Sequence, residues 1–186
     1  GEGGRRPTDL AARGDGAGTG ATWRTFFANS GAEANECAMK LVRLRERRAG
    51  GGADAIVCLN GGFHGRTLET VAATMQDRLQ RDFRPLPGGF LATDPNDVGM
   101  LERLFAGRAG DICAVMVEPI QGESGVHPLT PEFMAAVRRL CDESGALMIC
   151  DEVQCGVFRP GRPFAFQLAG VTPDVFTVAK GIACGV

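Results

Sequence analysis

The chain carries no surplus of charge of either sign, with 20 basic against 22 acidic residues among 186. That balance argues against the basic footprint of a nucleic-acid binder. No segment approaches the roughly 20 apolar residues of a membrane-spanning helix, and no apolar signal-peptide core stands near the start. A cytoplasmic protein with no membrane contact is the expectation. Histidine is scarce, His64 and His127 only, and the seven cysteines include no C-x-x-C pair. No metal site is therefore expected, and the thiols read as reduced and mostly buried. No internal repeat is visible. What remains is a chain 44% hydrophobic, long enough for one good core.

Residues 1–24 are polar and glycine-rich, and are expected to form a flexible lead-in. Residues 16–21 match a G-x-G-x-x-A fingerprint, but no apolar run precedes them to supply the strand such a fingerprint needs. Residues 25–28 are a short strand candidate. Ser30 and Glu33 form a capping box, opening a helix to about Arg48 that Gly50, Gly51 and Gly52 stop. Its predicted apolar stripe is Ala34, Cys37, Ala38, Leu41, Val42 and Leu44. Arg43, Arg45, Arg47 and Arg48 resemble a nucleic-acid patch but close that helix, where cations complement its dipole, and read as a solvated helix end. Strands are predicted over 55–59, 112–117, 146–150 and 174–179. Helices are predicted over 67–75, 97–105 and 130–144, the last with proline at its first position. Residues 78–96, with three prolines, are expected to be irregular, and 118–125 to form a polar loop. Strands alternating with helices imply an α/β fold with a mostly parallel sheet covered on both faces.

The chemistry gathers at 146–180. Two apolar runs each end in a charged residue, Asp151 after LMIC and Lys180 after VFTVA. In α/β sheets ligands sit outside the carboxyl ends of the strands. A buried carboxylate there needs a partner, because leaving it unpaired costs several kcal/mol. A protonated ring nitrogen, a helix N-terminus or an arginine would each serve. A lysine similarly desolvated would be a competent nucleophile and proton carrier. An anion and a lone amine suit pyridoxal 5'-phosphate (PLP), whose ring nitrogen is cationic and whose aldehyde bonds a lysine. Ser30, Gly31 and Ala32 open a helix and can bind an anion or merely cap it. Phe63 and Arg66, on a glycine-rich loop, suit a flat ring and a carboxylate, or simply core and solvent. Glu118 and Glu123 are two carboxylates in one loop, either an acid–base pair or exposed polar residues.

The ordered motifs SGAEANE, FHGRT, VEPIQGESG, DEVQCG and VAKG resemble those of the class III (ornithine/acetylornithine-type) aminotransferases. These are PLP enzymes of fold type I, and 29 residues separate Asp151 from Lys180, as in that family. Within the class, DEVQCG and AKGI are most similar to the acetylornithine aminotransferases. The resemblance runs over 25–186 and implies part of the large cofactor domain, with the carboxyl-terminal domain outside this chain. It implies that Gly31 and Ala32, with Ser30 beside them, cradle the PLP phosphate and that Phe63 stacks on the ring. It assigns Arg66 to a substrate carboxylate, and Glu123 to a switch that pairs with an arginine. Asp151 matches the partner of the ring nitrogen, Gln154 the neighbour of the ring hydroxyl, Val153 a residue packed on the ring, and Lys180 the Schiff-base lysine.

The implied reaction moves an amino group from N-acetylornithine, or a related ω-amino donor, to 2-oxoglutarate in arginine biosynthesis. Ornithine, succinylornithine or 4-aminobutyrate transaminases, or an aminomutase, are the sister activities. A homodimer is implied for the full-length protein, because family sites borrow residues across subunits. The 186-residue chain by itself, a fragment on this view, is expected to have little or no activity. Two departures stand out. Residues 1–24 do not resemble the segment that normally precedes the phosphate motif, and Ala183-Cys184 stands where relatives typically carry glycines.

Overall fold

The structure is a computed structural model that describes residues 23–184. The fingerprint at 16–21 lies outside the described residues, as does all of the lead-in except Trp23 and Arg24. Trp23 packs edge-on against Phe176 with ring centroids 5.0 Å apart, so the end of that segment is tied to the core.

The first element is helix α1, Gly31–Arg48, followed by strand β1, Ala55–Leu59. Helix α2, Leu68–Ala73, and a single turn α3, Asp77–Gln80, lead to strand β2, Phe90–Thr93. Helix α4, Val98–Arg108, precedes strand β3, Ile112–Val117. A small antiparallel ribbon of β4, Ile120–Gln121, and β5, His127–Pro128, comes next. Helix α5, Pro131–Ser144, strand β6, Leu147–Asp151, and strand β7, Val175–Thr177, complete the order.

The main sheet has five strands in the order β2-β1-β3-β6-β7, and every pair in it is parallel. Its inner strands read as continuous apolar runs because helices cover both faces. AIVCL of β1 and ICAVMV of β3 are buried along their whole length. The period-two alternation of a strand divides these residues. Val57, Leu59, Val115, Val117, Met148 and Cys150 face a core with Leu101 and Phe105 of α4 and Phe133 and Val137 of α5. Ile56, Cys58, Ala114, Met116 and Ile149 face the opposite core, with Ala38, Met39 and Val42 of α1. Helix α5 starts as predicted, with Pro131 at its first position and Thr130 accepting the Phe133 N–H. It ends at Gly145, whose φ of 78° is the left-handed conformation that favours glycine.

Four expectations are corrected. Residues 25–28 form no strand, and Phe26 and Phe27 are exposed; among the described residues no strand pairs with them. The buried stripe of α1 is Asn35, Ala38, Met39 and Val42, while Leu41 and Leu44 face solvent. The spacing i, i+3, i+4, i+7 selects that row, and it contains a polar residue. Within 78–96, the segment expected to be irregular, β2 forms the edge of the sheet and pairs Val57 with Leu91. Arg43, read as part of a solvated helix end, is instead pinned by Glu69, by the Asp54 carbonyl at 3.0 Å and over the Phe90 ring at 5.1 Å.

Candidate active site

Parallel strands bring their carboxyl ends to one edge of the sheet, and the start of α1 reaches that edge. Ser30 Oγ accepts the Glu33 N–H at 3.2 Å. The Glu33 carboxylate turns back to the Asn29 N–H at 2.8 Å, one residue before the partner that the capping box predicts. The N–H groups of Gly31 and Ala32 belong to the first turn, where an α-helix offers no internal acceptor. They stand at the positive end of the macrodipole. Gly31 has no room for a side chain: a Cβ there would lie 2.8 Å from Val153 Cγ1 and 3.3 Å from the Ala179 Cβ. The helix start is thus wedged between the segments that follow β6 and β7.

Asp151, the last residue of β6, is 2% exposed. Its Oδ2 accepts from Asn35 Nδ2 at 2.7 Å and from His64 Nδ1 at 2.8 Å, and its Oδ1 from the Val153 N–H at 3.0 Å. The Thr177 hydroxyl stands 3.4 Å from Oδ1 but only 2.6 Å from Asn35 Oδ1. Its single proton goes to the nearer acceptor. A carboxylate offers about four lone-pair sites, so Oδ1 keeps one free. The partners of Asp151 are therefore an amide, an imidazole and a backbone N–H, not an arginine. Burial opposes a charge on His64, but the bond to Asp151 and the fields of Asp151 and Glu118 prevail and hold it above the ordinary histidine range.

The loop after β1 is fastened by side chains from several elements. The Phe63 N–H donates to Glu118 Oε1 at 2.7 Å, and the His64 N–H to Thr74 Oγ1 at 2.9 Å. The His64 carbonyl accepts from Asn35 Nδ2 at 2.8 Å. Gly65, with φ of 139°, packs so closely on α1 that a Cβ would lie 2.7 Å from that of Ala32. Within the loop 118–125 the two carboxylates part company: Glu118 is buried, whereas Glu123 is exposed.

Ser30, Gly31, Ala32, Phe63, Asp151, Val153, Gln154 and Lys180 all line one cleft of about 280 Å³. Asn35 and His64 line it too. Arg66 and Glu123 are not in this lining and are exposed, Arg66 lying 5.8 Å from the Phe63 ring centroid. Lys180 is exposed, with φ of 50°. The desolvation expected of it is absent, because β7 ends at Thr177 and the lysine lies on the turn beyond. Cys184, at a position where glycine was the family expectation, also has φ of 50°. The cleft thus joins a helix start with free N–H groups, a carboxylate with one free acceptor site and a primary amine. Among the described residues no group of three or more His, Cys, Asp or Glu side chains is placed to hold a metal ion. None of the described helices is long and apolar enough to cross a membrane.

Asn35, Thr177 and His64 were given no role at this site by the sequence, and Glu118 was weighed only as half of an acid–base pair with Glu123. One signal for Asn35 was present, a polar residue in register with Ala38, Met39 and Val42.

The family description "Aminotransferase class-III" matches residues 12–186, so the match reaches back into the segment expected not to resemble the family. The chain is 52% identical over 164 residues to the acetylornithine aminotransferase of Xanthomonas axonopodis pv. citri, covering 87% of this chain and 40% of that protein. It is 47% identical over 164 residues to the protein of the same name from Neisseria meningitidis serogroup A, with the same coverage. Among solved structures, the ornithine aminotransferase of Toxoplasma gondii, with PLP partially occupying its active site, superposes with a TM-score of 0.79. It is 33% identical, over 86% of this chain and 38% of that one. A Bacillus anthracis aminotransferase superposes with a TM-score of 0.84 at 32% identity, over 96% of this chain and 44% of that one. The chain spans about 40% of the length of the curated relatives it matches.

Proposed function

The chain belongs to the class-III aminotransferases, and on that footing we propose that its cleft is the pyridoxal 5'-phosphate site of a transaminase. The single observation that carries the proposal is the convergence of Gly31, Asp151 and Lys180 on one cleft. The residues fit the cofactor. Free N–H groups and the Ser30 hydroxyl suit a phosphate, the crowding at Gly31 brings backbone rather than side chain to it, and Asp151 retains an acceptor site. Bound there, PLP would supply an aldehyde that exchanges amines and a protonated ring that accepts electrons from the substrate carbon.

The chain's own residues then have distinct tasks. Gly31 and Ala32 hold the phosphate, while Phe63 and Val153 confine the ring. Asp151 keeps the ring nitrogen protonated, and Gln154 is the partner of the ring hydroxyl. Lys180 Nζ would hold the aldehyde carbon and, once released, would take a proton from the substrate carbon and deliver it to that aldehyde carbon. Arg66 takes a substrate carboxylate, and Glu123 pairs with an arginine from another part of the protein. Residues 25–186 would form part of the large domain of a cytoplasmic homodimer.

The substrate reading is amino transfer from N-acetylornithine to 2-oxoglutarate, a step of arginine biosynthesis. It is supported by relatives named acetylornithine aminotransferase at 47–52% identity. Ornithine is the second reading, favoured by the Toxoplasma gondii neighbour. Glutamate formation from 2-oxoglutarate by the full-length protein tests the two. N-acetylornithine as the preferred donor supports the first, and a preference for ornithine or 4-aminobutyrate overturns it.

A further inference from the structure

Glu118 has no role in the chemistry above, yet it is among the most confined charged groups near the cleft. It directly follows β3 and is 3% exposed. Its Oε1 accepts the Phe63 N–H, while among the described residues its Oε2 is buried with no hydrogen-bond partner. Such an oxygen disfavours the ionised form. The ionisable groups that face Glu118 come from two other elements: His64 from the loop after β1, and Asp151 from the end of β6. Those two carboxylates are likewise the groups that face His64. A Cβ built on Gly62 would stand 3.5 Å from both Glu118 Oε1 and His64 Nε2. The carboxylate and the outer imidazole nitrogen therefore flank the same stretch of backbone. Lys180, elsewhere on the cleft wall, is exposed to solvent.

We propose that Glu118 is a positioning residue of this site: it anchors the loop bearing Phe63 and His64, and its charge sets that of the imidazole behind Asp151. Burial pushes the Glu118 carboxyl up to about 7, against the pull of His64 and with the push of Asp151. It therefore changes charge in the neutral range. While ionised it favours the His64 imidazolium; once protonated it withdraws that support. The grip of Asp151 on a ring proton is in this way tied to pH through a group that touches neither the ring nor the substrate. This inference rests on reading the cleft as the cofactor site, but its test needs no cofactor.

The test is the NMR titration of the two histidines of the chain, from about pH 5 to about pH 9, with exposed His127 as internal control. The His64 curve is expected to show two steps, one at the pH where the Glu118 carboxyl carbon titrates. In Glu118→Gln it should become a single step whose midpoint lies lower by about half a pH unit or more, with His127 unmoved. A single His64 step in the unaltered chain, or an unchanged midpoint in Glu118→Gln, overturns the proposal. Should Glu118→Gln fail to fold, the curve of the unaltered chain decides alone. The visible absorbance of a Lys180-bound cofactor is a separate readout, so failure of the site assignment and failure of the Glu118 role are told apart.

Discussion

The side-chain amide of Asn35, near the start of α1, donates to the carboxylate of Asp151 at the end of β6 at 2.7 Å, across 116 residues of chain. The same amide nitrogen also donates to the His64 carbonyl, and the amide oxygen accepts from Thr177. One buried side chain thus ties the helix start to the ends of β6 and β7 and to the loop after β1. Asn35→Ala leaves all three partners short of a bond in a buried setting, and is expected to cost about 2–3 kcal/mol. Denaturant unfolding of the two proteins checks this, and equal midpoints would refute it.

Gly31 is limited by contact and not by conformation. Gly31→Ala places a methyl 2.8 Å from Val153 Cγ1 and pushes the helix start out of the cleft. PLP affinity is expected to fall about tenfold, and Val153→Ala in the same chain to restore much of it. Fluorescence titration with the cofactor measures both. No recovery in the double variant would mean that the loss has another cause.

The buried ionisable groups give stability a definite pH dependence. The carboxyl of Glu118 stands at about 7 when folded and at 4.5 in its ordinary state, so the folded chain prefers it protonated, and stability falls as pH rises through that window. His64 is raised, so its contribution is full at low pH and is lost as pH rises through its folded value. Both act in the same direction. The unfolding free energy should drop by about 2–3 kcal/mol between about pH 5 and about pH 8, and less steeply in Glu118→Gln. A flat or rising profile in the unaltered chain contradicts this assignment.

Glu152, adjacent to Asp151, has a purely structural task. Its two carboxylate oxygens accept the N–H groups of Phe166 at 2.8 Å and Ala165 at 3.0 Å, and Cys155 Sγ lies 3.3 Å away. Glu152→Ala strands both amides and is expected to cost about 2–4 kcal/mol, exposing the 153–166 loop to protease. Unchanged proteolysis would show that the loop is held by other contacts.

The parts of the fold that were legible in the sequence are those whose signal is local. AIVCL and ICAVMV are apolar throughout because they are covered on both faces, and Ser30, Thr130 and Pro131 announce their helices by capping chemistry. β2 escaped because FLAT follows a proline- and glycine-rich stretch and is an edge strand whose single partner supplies the pairing. At the site, motif positions such as Asp151 and Lys180 stand at the ends of apolar runs and could be read directly. Asn35 and Thr177 could not, since their partners lie on distant elements, and Glu118 was visible only as one of two carboxylates in a loop. A buried Glu118 beside an exposed Glu123 is decided by which one directly follows β3, not by residue type.

Whether Lys180 anchors pyridoxal phosphate in this cleft is read most simply from an absorbance spectrum. The protein would be mixed with PLP, freed of excess, and compared with Lys180→Ala treated alike. A visible band that survives removal of free cofactor is expected in the unaltered protein and is expected to be missing from Lys180→Ala. A band of equal strength in both, or none in either, would contradict it.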